Sequence, residues 1–99
     1  MSYRYLFGEM RTLPFTDEIN DLKLIVYEMQ GCGFCTKLKQ HTLKGYKDSI
    51  EFRDIANPEW HKVIQENQYQ GFPTIVSQTT GKVLIGYRPK IKDIVEALS

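Results

Sequence analysis

The stretch LKLIVYEMQGCGFCTKLK, residues 22–39, contains both cysteines of this 99-residue chain, Cys32 and Cys35. Its first part is a near-continuous apolar run of strand length, which is typical of a strand buried on both faces of a sheet. After the cysteines, Leu38 and Thr42 recur at helical spacing, and Gly45 is suited to end the helix. The stretch therefore predicts a C-x-x-C pair between the end of a buried strand and the first turn of a helix.

The rest of the sequence alternates between strand and helix signals. Asn57 and Pro58 suit the N-cap and the first position of a second helix, and Gly81 suits the turn of a β-hairpin. The further predicted elements are strands at 49–56, 72–77 and 82–87 and helices at 56–68 and 90–98. The order β-α-β-α-β-β-α implies a parallel pair of strands with a right-handed crossover, followed by antiparallel strands.

The whole chain, 1–99, is predicted to form one domain, because its length suits a single core and its composition does not change along the sequence. Residues 1–21 are an N-terminal extension to the alternating pattern. Within it, YRYLF at 3–7 is compatible with an edge strand and FTDEIND at 15–21 with a short capped helix beginning at Thr16. The mixed sheet is therefore expected to have four strands, or five if the edge strand forms.

Charge and hydropathy argue against several classes of function. Thirteen basic and twelve acidic residues leave a net charge of +1, which does not favour binding to nucleic acid or to a membrane surface. The longest apolar run, 24–27, is far too short to span a bilayer. Residues 1–15 lack the continuous hydrophobic segment of a secretory signal. We therefore expect a cytoplasmic protein, acting as a monomer in a reducing compartment.

Structural roles for the cysteine pair are poorly supported. A disulfide closing so short a loop would stabilise the fold by only about 2 kcal/mol in the chain-entropy model. A metal site would need two further ligands, and His41 and His61 do not stand at the usual spacing. Two copies of the chain could still share a metal or an iron–sulfur cluster through their first cysteines. No metal is expected within one chain.

A redox couple fits the context better. At the start of a helix, free backbone N–H groups and the helix dipole stabilise a thiolate on the first cysteine. Cys32 is then the exposed nucleophile, and Cys35, one turn later, is the more buried thiol that resolves a mixed disulfide. In a β-α-β context the C-x-x-C spacing becomes a strong indication of dithiol–disulfide chemistry.

The sequence resembles the thioredoxin/glutaredoxin superfamily from about residue 22 to the C-terminus. The matching segments are CGFC at 32–35, DIANPE at 54–59, GFPT at 71–74 and the tail TTGKVLIGYRPKIKDIVEAL at 79–98. The resemblance implies an α/β thioredoxin fold, with a central mixed sheet flanked by helices. It also implies that Pro73 is cis and that the backbone of Phe72 faces the cysteines and grips an extended substrate. Gly33, Phe34 and Thr74 are the other residues it assigns to substrate binding.

The same resemblance implies an enzyme that reduces protein disulfides and needs no bound cofactor. Its electrons would come from a thioredoxin reductase or from glutathione, and its substrates would be disulfide-containing proteins, with ribonucleotide reductase as one family-level example. Two alternatives remain open: a glutathione-dependent glutaredoxin, and a redox-inert binding module that keeps the fold. The presence of both Cys32 and Cys35 does not favour the inert module.

Several residues depart from the family patterns. Gln30 and Gly31 precede the first cysteine where thioredoxins usually have tryptophan, and Phe34 stands where they have proline. Val26 occupies the position of the buried acid of thioredoxins. Glu28 points the same way on an alternating strand, and is either a substitute for that acid or a solvated residue at the strand end.

The chain also lacks the glycine pair with which glutaredoxins hold glutathione, since Gly86 is followed by Tyr87. Other side chains near the pair allow two interpretations. Lys37 and Lys39 either raise the positive potential behind Cys32 or form a solvated basic face. Phe34, Phe72 and Tyr87 are candidates for an apolar rim around the sulfurs, whereas Trp60 is expected to be a core residue.

Overall fold

The computed structural model describes residues 13–99, so the edge strand predicted at 3–7 lies outside the described residues. The helices are α1 (Thr16–Leu22), α2 (Gly33–Lys37, continued by a π-helical turn at Leu38–Thr42), α3 (His61–Asn67) and α4 (Ile91–Leu98). The strands are β1 (Leu24–Glu28), β2 (Glu51–Asp54), β3 (Thr74–Ser77) and β4 (Val83–Ile85). Short 3-10 turns at Lys47–Ser49 and Pro58–Trp60 precede β2 and α3. This element order is the one predicted from the sequence.

The four described strands form one mixed sheet in the order β2-β1-β3-β4. β1 runs parallel to β2 and antiparallel to β3, and β3 pairs antiparallel with β4. Val26 on β1 stands opposite Phe52 on one side and Ile75 on the other. The predicted α/β class, with a central mixed sheet flanked by helices, is confirmed.

β1 lies at the centre of the sheet because its residues can be buried on both faces. Leu24 and Val26 are each 1% exposed on the face that carries the main core. On the opposite face, Tyr27 is 2% exposed although it carries a hydroxyl. That hydroxyl accepts a hydrogen bond from Nη1 of Arg53 at 2.8 Å, which satisfies the buried polar group.

The core is closed by residues from α1, the π-helical turn and α4. The predicted apolar face of α4 is confirmed, since Ile94, Val95 and Leu98 are all buried. Each fully buried aliphatic side chain contributes about 1.5–3 kcal/mol relative to exposure, so this helix strongly stabilises the sheet beneath it. The π-helical turn contributes Leu38 and Thr42, which stand at helical spacing in the sequence and are both buried.

Two local predictions need correction. α1 begins at Thr16 as expected, but the Thr16 hydroxyl donates to the carbonyl oxygen of Leu13 (3.0 Å) and does not cap the helix. Trp60 is partly exposed and is not a core residue, because its ring lies under the guanidinium of Arg53, whose Cζ is 4.0 Å from the ring centroid. One face of the indole is therefore in contact with a charged side chain of β2, which is a cation–π contact and not core packing.

The predicted cap at Asn57 forms, but it caps the 3-10 turn that leads into α3, and Trp60 is the N-cap of α3 itself. The Asn57 side-chain oxygen accepts the N–H of Glu59 at 3.0 Å, and Pro58 follows it at the first position. The hairpin turn also forms as predicted, with Gly81 at a φ of +76°. Across residues 13–99, none of the helices has both the length and the apolar character that crossing a bilayer requires.

Candidate active site

Cys32 and Cys35 lie where β1 passes into α2. Gly31 takes a φ of +78°, which turns the chain after the strand, and the N–H of Cys32 then bonds to the carbonyl of Met29 at 3.2 Å. Cys32 is the N-cap of α2, and its Sγ accepts the backbone N–H of Cys35 at 3.2 Å. The sulfur that caps the helix is therefore held against an amide donor.

The two thiols differ in accessibility. Cys32 is half-buried, whereas Cys35 is buried and only 3% exposed. The pKa of Cys35 is raised from 9.0 to about 12, mainly by burial and secondly by its hydrogen bond with Cys32. The structure thus separates an accessible sulfur from a protected one, in the order expected from the sequence.

The loop before β3 approaches the same sulfur from the other side. The Phe72–Pro73 peptide bond is cis, as predicted. The carbonyl oxygen of Phe72 is 3.7 Å from Sγ of Cys32, which donates to it as a thiol. The loop is anchored to the sheet through the carbonyl of Pro73, which accepts the N–H of Gly86 at 2.8 Å.

Thr74 does not offer its side chain to a substrate. Its side chain is fully buried, and its hydroxyl donates to the carbonyl oxygen of Gly71, which fixes the shape of the loop. Pro73 is also among the fully buried residues. Of the predicted substrate-binding residues in this loop, only Phe72 is partly exposed.

An aromatic pair lies on the other flank of the cysteines. The rings of Phe34 and Tyr87 stack with their centroids 5.7 Å apart, and Phe34 remains 58% exposed. Gly33, Phe34 and Lys37 line a shallow surface cavity of about 250 Å³. The segment carrying Tyr87 is held in place by Thr42, whose hydroxyl donates to the carbonyl of Arg88 at 2.8 Å.

Phe72 lines a different cavity. It does so together with Ile55, Ile64 and Tyr69, on the α3 side of the loop. Two of the three predicted rim residues, Phe34 and Tyr87, are therefore in contact, and Phe34 and Phe72 line different cavities.

A polar cavity of about 390 Å³ lies behind Cys35, and Glu28, Lys39 and Asp54 are among its lining residues. Glu28 is not simply solvated: its side chain is 21% exposed, and its Oε2 is 3.3 Å from Nζ of Lys39. Nζ of Lys39 also lies 4.6 Å from the centroid of the Phe52 ring. The Glu28 carboxylate contributes to raising the pKa of Cys35, as the smallest of several causes. Lys39 is thus paired with an acid, whereas Lys37 is exposed.

Asp54 was not predicted from the sequence to be part of this site. It enters the cavity because Glu28 and Asp54 are register partners at the ends of the parallel strands β1 and β2. The sequence did contain an indication of this contact. Two predicted parallel strands each end in an acidic residue, and adjacent parallel strands end at the same edge of a sheet.

The two histidines lie at the surface. His41 and His61 are both exposed, and Nε2 of His61 is 3.0 Å from the carbonyl oxygen of Ile55. Over the described range 13–99, no three or more His, Cys, Asp or Glu side chains are grouped so that they could hold a metal ion.

Comparison with known proteins identifies the fold and not a family. No protein-family model matches the sequence, and none of the curated proteins matches it either. The structure is similar to the C-terminal domain of DsbD from Neisseria meningitidis in its oxidised form, with a TM-score of 0.59 and 16% identity over 83% of this chain and 81% of that domain. The reduced form of the same domain gives a TM-score of 0.56 and 17% identity, over 83% and 82% of the respective chains.

At these identities the similarity concerns the arrangement of helices and strands. The residues that carry the chemistry come from this chain itself: a C-x-x-C pair at the start of α2, with a proline loop beside it. The described chain has the thioredoxin-like fold of these domains, with its cysteine pair at the junction of β1 and α2.

Proposed function

We propose that this protein is a dithiol–disulfide oxidoreductase that reduces disulfide bonds in other proteins. The observation that carries the proposal is the pairing of unequal thiols. The accessible Sγ of Cys32 receives an amide hydrogen bond from Cys35, and the thiol of Cys35 is buried beside it. A two-step thiol exchange requires this arrangement, because one sulfur attacks the substrate disulfide first and the other attacks the resulting mixed disulfide afterwards.

In the first step, the Cys32 thiolate attacks one sulfur of the substrate disulfide. The substrate S–S bond breaks, the other substrate sulfur leaves as a thiolate that takes up a proton, and a mixed disulfide with Cys32 forms. In the second step, Cys35 loses its proton and attacks Sγ of Cys32. The mixed disulfide breaks, the second substrate thiol is released, and a Cys32–Cys35 disulfide remains. Two electrons have passed to the substrate.

The second step needs a base, because burial keeps Cys35 protonated at neutral pH. Glu28 is suited to this role, since its carboxylate lines the same cavity as Cys35 and is held by Lys39. The charge of Glu28 alone would hinder ionisation of Cys35, since it contributes to raising the pKa of that thiol. If Glu28 acts as the base, replacing it should slow the second step. If its charge only disfavours the Cys35 thiolate, replacing it should accelerate that step.

The electrons that restore the dithiol come from outside the chain, from a thioredoxin reductase or from glutathione. We further propose that the protein acts in the cytoplasm as a monomer. Disulfide-containing proteins are its substrates, ribonucleotide reductase being one candidate. The Cys32–Cys35 couple itself stores the two electrons, so no bound cofactor is required.

The function can be tested with a disulfide-containing protein such as insulin and each electron donor in turn. We expect the wild-type protein to reduce insulin with a reductase or with glutathione as the electron donor. Both Cys32→Ser and Cys35→Ser should lose this activity. Activity retained in Cys35→Ser with glutathione alone would favour the monothiol route of a glutaredoxin. Insulin left intact under all conditions, by a folded and fully reduced protein, would favour an inert binding module.

A further inference from the structure

A second, mainly apolar cavity opens on the α3 side of the proline loop. It has a volume of about 210 Å³ and is lined by Ile55, His61, Ile64, Gln65, Tyr69 and Phe72. Ile55 directly follows β2, the next three residues lie on the first turns of α3, and the last two lie between α3 and β3. None of the steps described above uses this cavity.

Phe72 connects the cavity to the reactive sulfur. Its carbonyl oxygen is 3.7 Å from Sγ of Cys32, and the same residue forms part of the cavity wall. A polypeptide whose disulfide is attacked by Cys32 must therefore pass beside the residue that lines the cavity. An extended chain advances about 3.3 Å per residue. A side chain one or two residues from the attacked cysteine is then within reach of the opening.

The volume limits what the cavity can hold. Drug-sized ligands occupy pockets of about 300–1,000 Å³, which is more than this cavity provides. A cavity of about 150 Å³ lined by apolar side chains accepts a benzene molecule. The space beside Phe72, about 210 Å³, therefore suits a single leucine or phenylalanine side chain.

Contacts within the protein hold several of the residues that line the cavity in place. Nε2 of His61 lies 3.0 Å from the carbonyl oxygen of Ile55, which ties the start of α3 to the end of β2. The ring of Tyr69 packs against Tyr27 on β1, with the centroids 5.3 Å apart. A preformed apolar site binds an apolar group without first ordering its own side chains, which is favourable for affinity.

We infer that this cavity is a specificity pocket, which takes a leucine or phenylalanine side chain of the substrate protein one or two residues from the cysteine that Cys32 attacks. The inference rests on the proposed function and adds the class of substrate to it: polypeptides with an apolar residue beside the reactive disulfide. A small disulfide without such a side chain reacts at the sulfurs alone and gains nothing from the pocket.

The test uses short synthetic peptides with one cysteine, activated as a mixed disulfide with thionitrobenzoate. Attack of Cys32 on the peptide sulfur releases the coloured thiolate, whose absorbance gives the second-order rate constant. Leucine, phenylalanine, serine or aspartate is placed in turn at each position one or two residues from the cysteine. We expect leucine or phenylalanine to react at least about tenfold faster than aspartate at one of these positions, as hydrophobic pockets discriminate by this order.

Two variants on α3 form a matched pair. Ile64 lines the pocket, whereas Val63 is its neighbour, is also half-buried, and is not among the lining residues. Ile64→Asn should abolish the apolar preference, and Val63→Asn should keep it. Both should react with hydroxyethyl disulfide at the wild-type rate. Ile64→Trp, which fills the pocket with an apolar group, should also remove the preference and serves if Ile64→Asn does not fold.

The inference is overturned if the wild-type protein reacts equally fast with apolar and polar peptides, or if the preference persists in both Ile64 variants. Reaction with hydroxyethyl disulfide continues in that case, so the proposed function stands. If the wild-type protein reduces neither the peptides nor the small disulfide, the proposed function fails and the specificity pocket fails with it.

Discussion

The two thiols are expected to differ strongly in their rate of alkylation. Two variants, Cys32→Ser and Cys35→Ser, leave one thiol each to react with iodoacetamide near neutral pH. In Cys35→Ser, the backbone N–H of residue 35 is retained, so Cys32 keeps the amide donor that lies 3.2 Å from its sulfur. In Cys32→Ser, the remaining thiol is the buried one. We expect Cys32 to react much faster than Cys35.

The magnitude follows from the environment of Cys35. Raising its pKa from 9.0 to about 12 lowers the thiolate fraction near neutral pH by about 1,000-fold, since each unit is a factor of ten. Part of that shift comes from Cys32, through a hydrogen bond and a charge, and is lost in Cys32→Ser. Burial, the largest cause, remains. We therefore expect Cys35 to react about 10- to 1,000-fold more slowly than a thiol of ordinary pKa, because the thiolate is the reacting species.

The control is the same measurement in concentrated urea, where both thiols are exposed and should react at similar rates. Mass spectrometry of the wild-type protein after brief treatment should place the first adduct on Cys32. Equal rates for the two folded variants, or a first adduct on Cys35, would refute the assignment of nucleophile and resolving thiol.

Glu28→Gln should slow the second step severalfold without changing the first, as followed by rapid-quench analysis of the mixed disulfide. Raising the pH from about 9 to 12 should destabilise the reduced wild-type protein relative to Cys35→Ser in urea titrations. The sign follows because the folded state keeps a proton that the unfolded chain releases above 9.0. Ile94→Ala should lower the free energy of unfolding by about 2–5 kcal/mol, since this fully buried side chain would leave a cavity in the core. Tyr87→Ala removes the ring stacked on Phe34 and should slow reduction of insulin more than that of hydroxyethyl disulfide.

Each of these outcomes has a contrary result. A faster second step in Glu28→Gln would show that the carboxylate only repels the Cys35 thiolate. Parallel stability profiles across that pH range would contradict the raised pKa of Cys35. The exposed Lys92 lies on the same helix as Ile94, and Lys92→Ala should leave stability nearly unchanged. An equal loss of rate on both substrates in Tyr87→Ala would indicate a disturbed site and not a lost contact surface.

The sequence alone was sufficient for the features that depend on neighbours along the chain. The burial of β1, the cap at Asn57, the hairpin turn at Gly81 and the apolar face of α4 all follow from spacing and from turn chemistry. The position of the cysteine pair at the N-terminus of a helix follows in the same way, and the donor to Cys32 is an amide three residues along. Local patterns predict such contacts because the backbone geometry of a single turn determines them.

Contacts between distant segments were decided by the tertiary structure. Glu28 and Asp54 meet only because β1 and β2 pair in one particular parallel register, which no periodicity in either strand specifies. The burial of Thr74 depends on how its loop packs against the sheet.

Phe72, at the candidate site itself, also has contacts that local sequence patterns do not predict. The sequence placed it beside the cysteines, and the structure confirms this for its carbonyl group, but the residue also lines a separate cavity formed with α3. A side chain's neighbours are set by which elements pack around it, and that depends on the free energy of the whole fold. The sequence therefore predicted the dithiol chemistry, whereas the acid behind Cys35 and the pocket beside Phe72 became visible only in three dimensions.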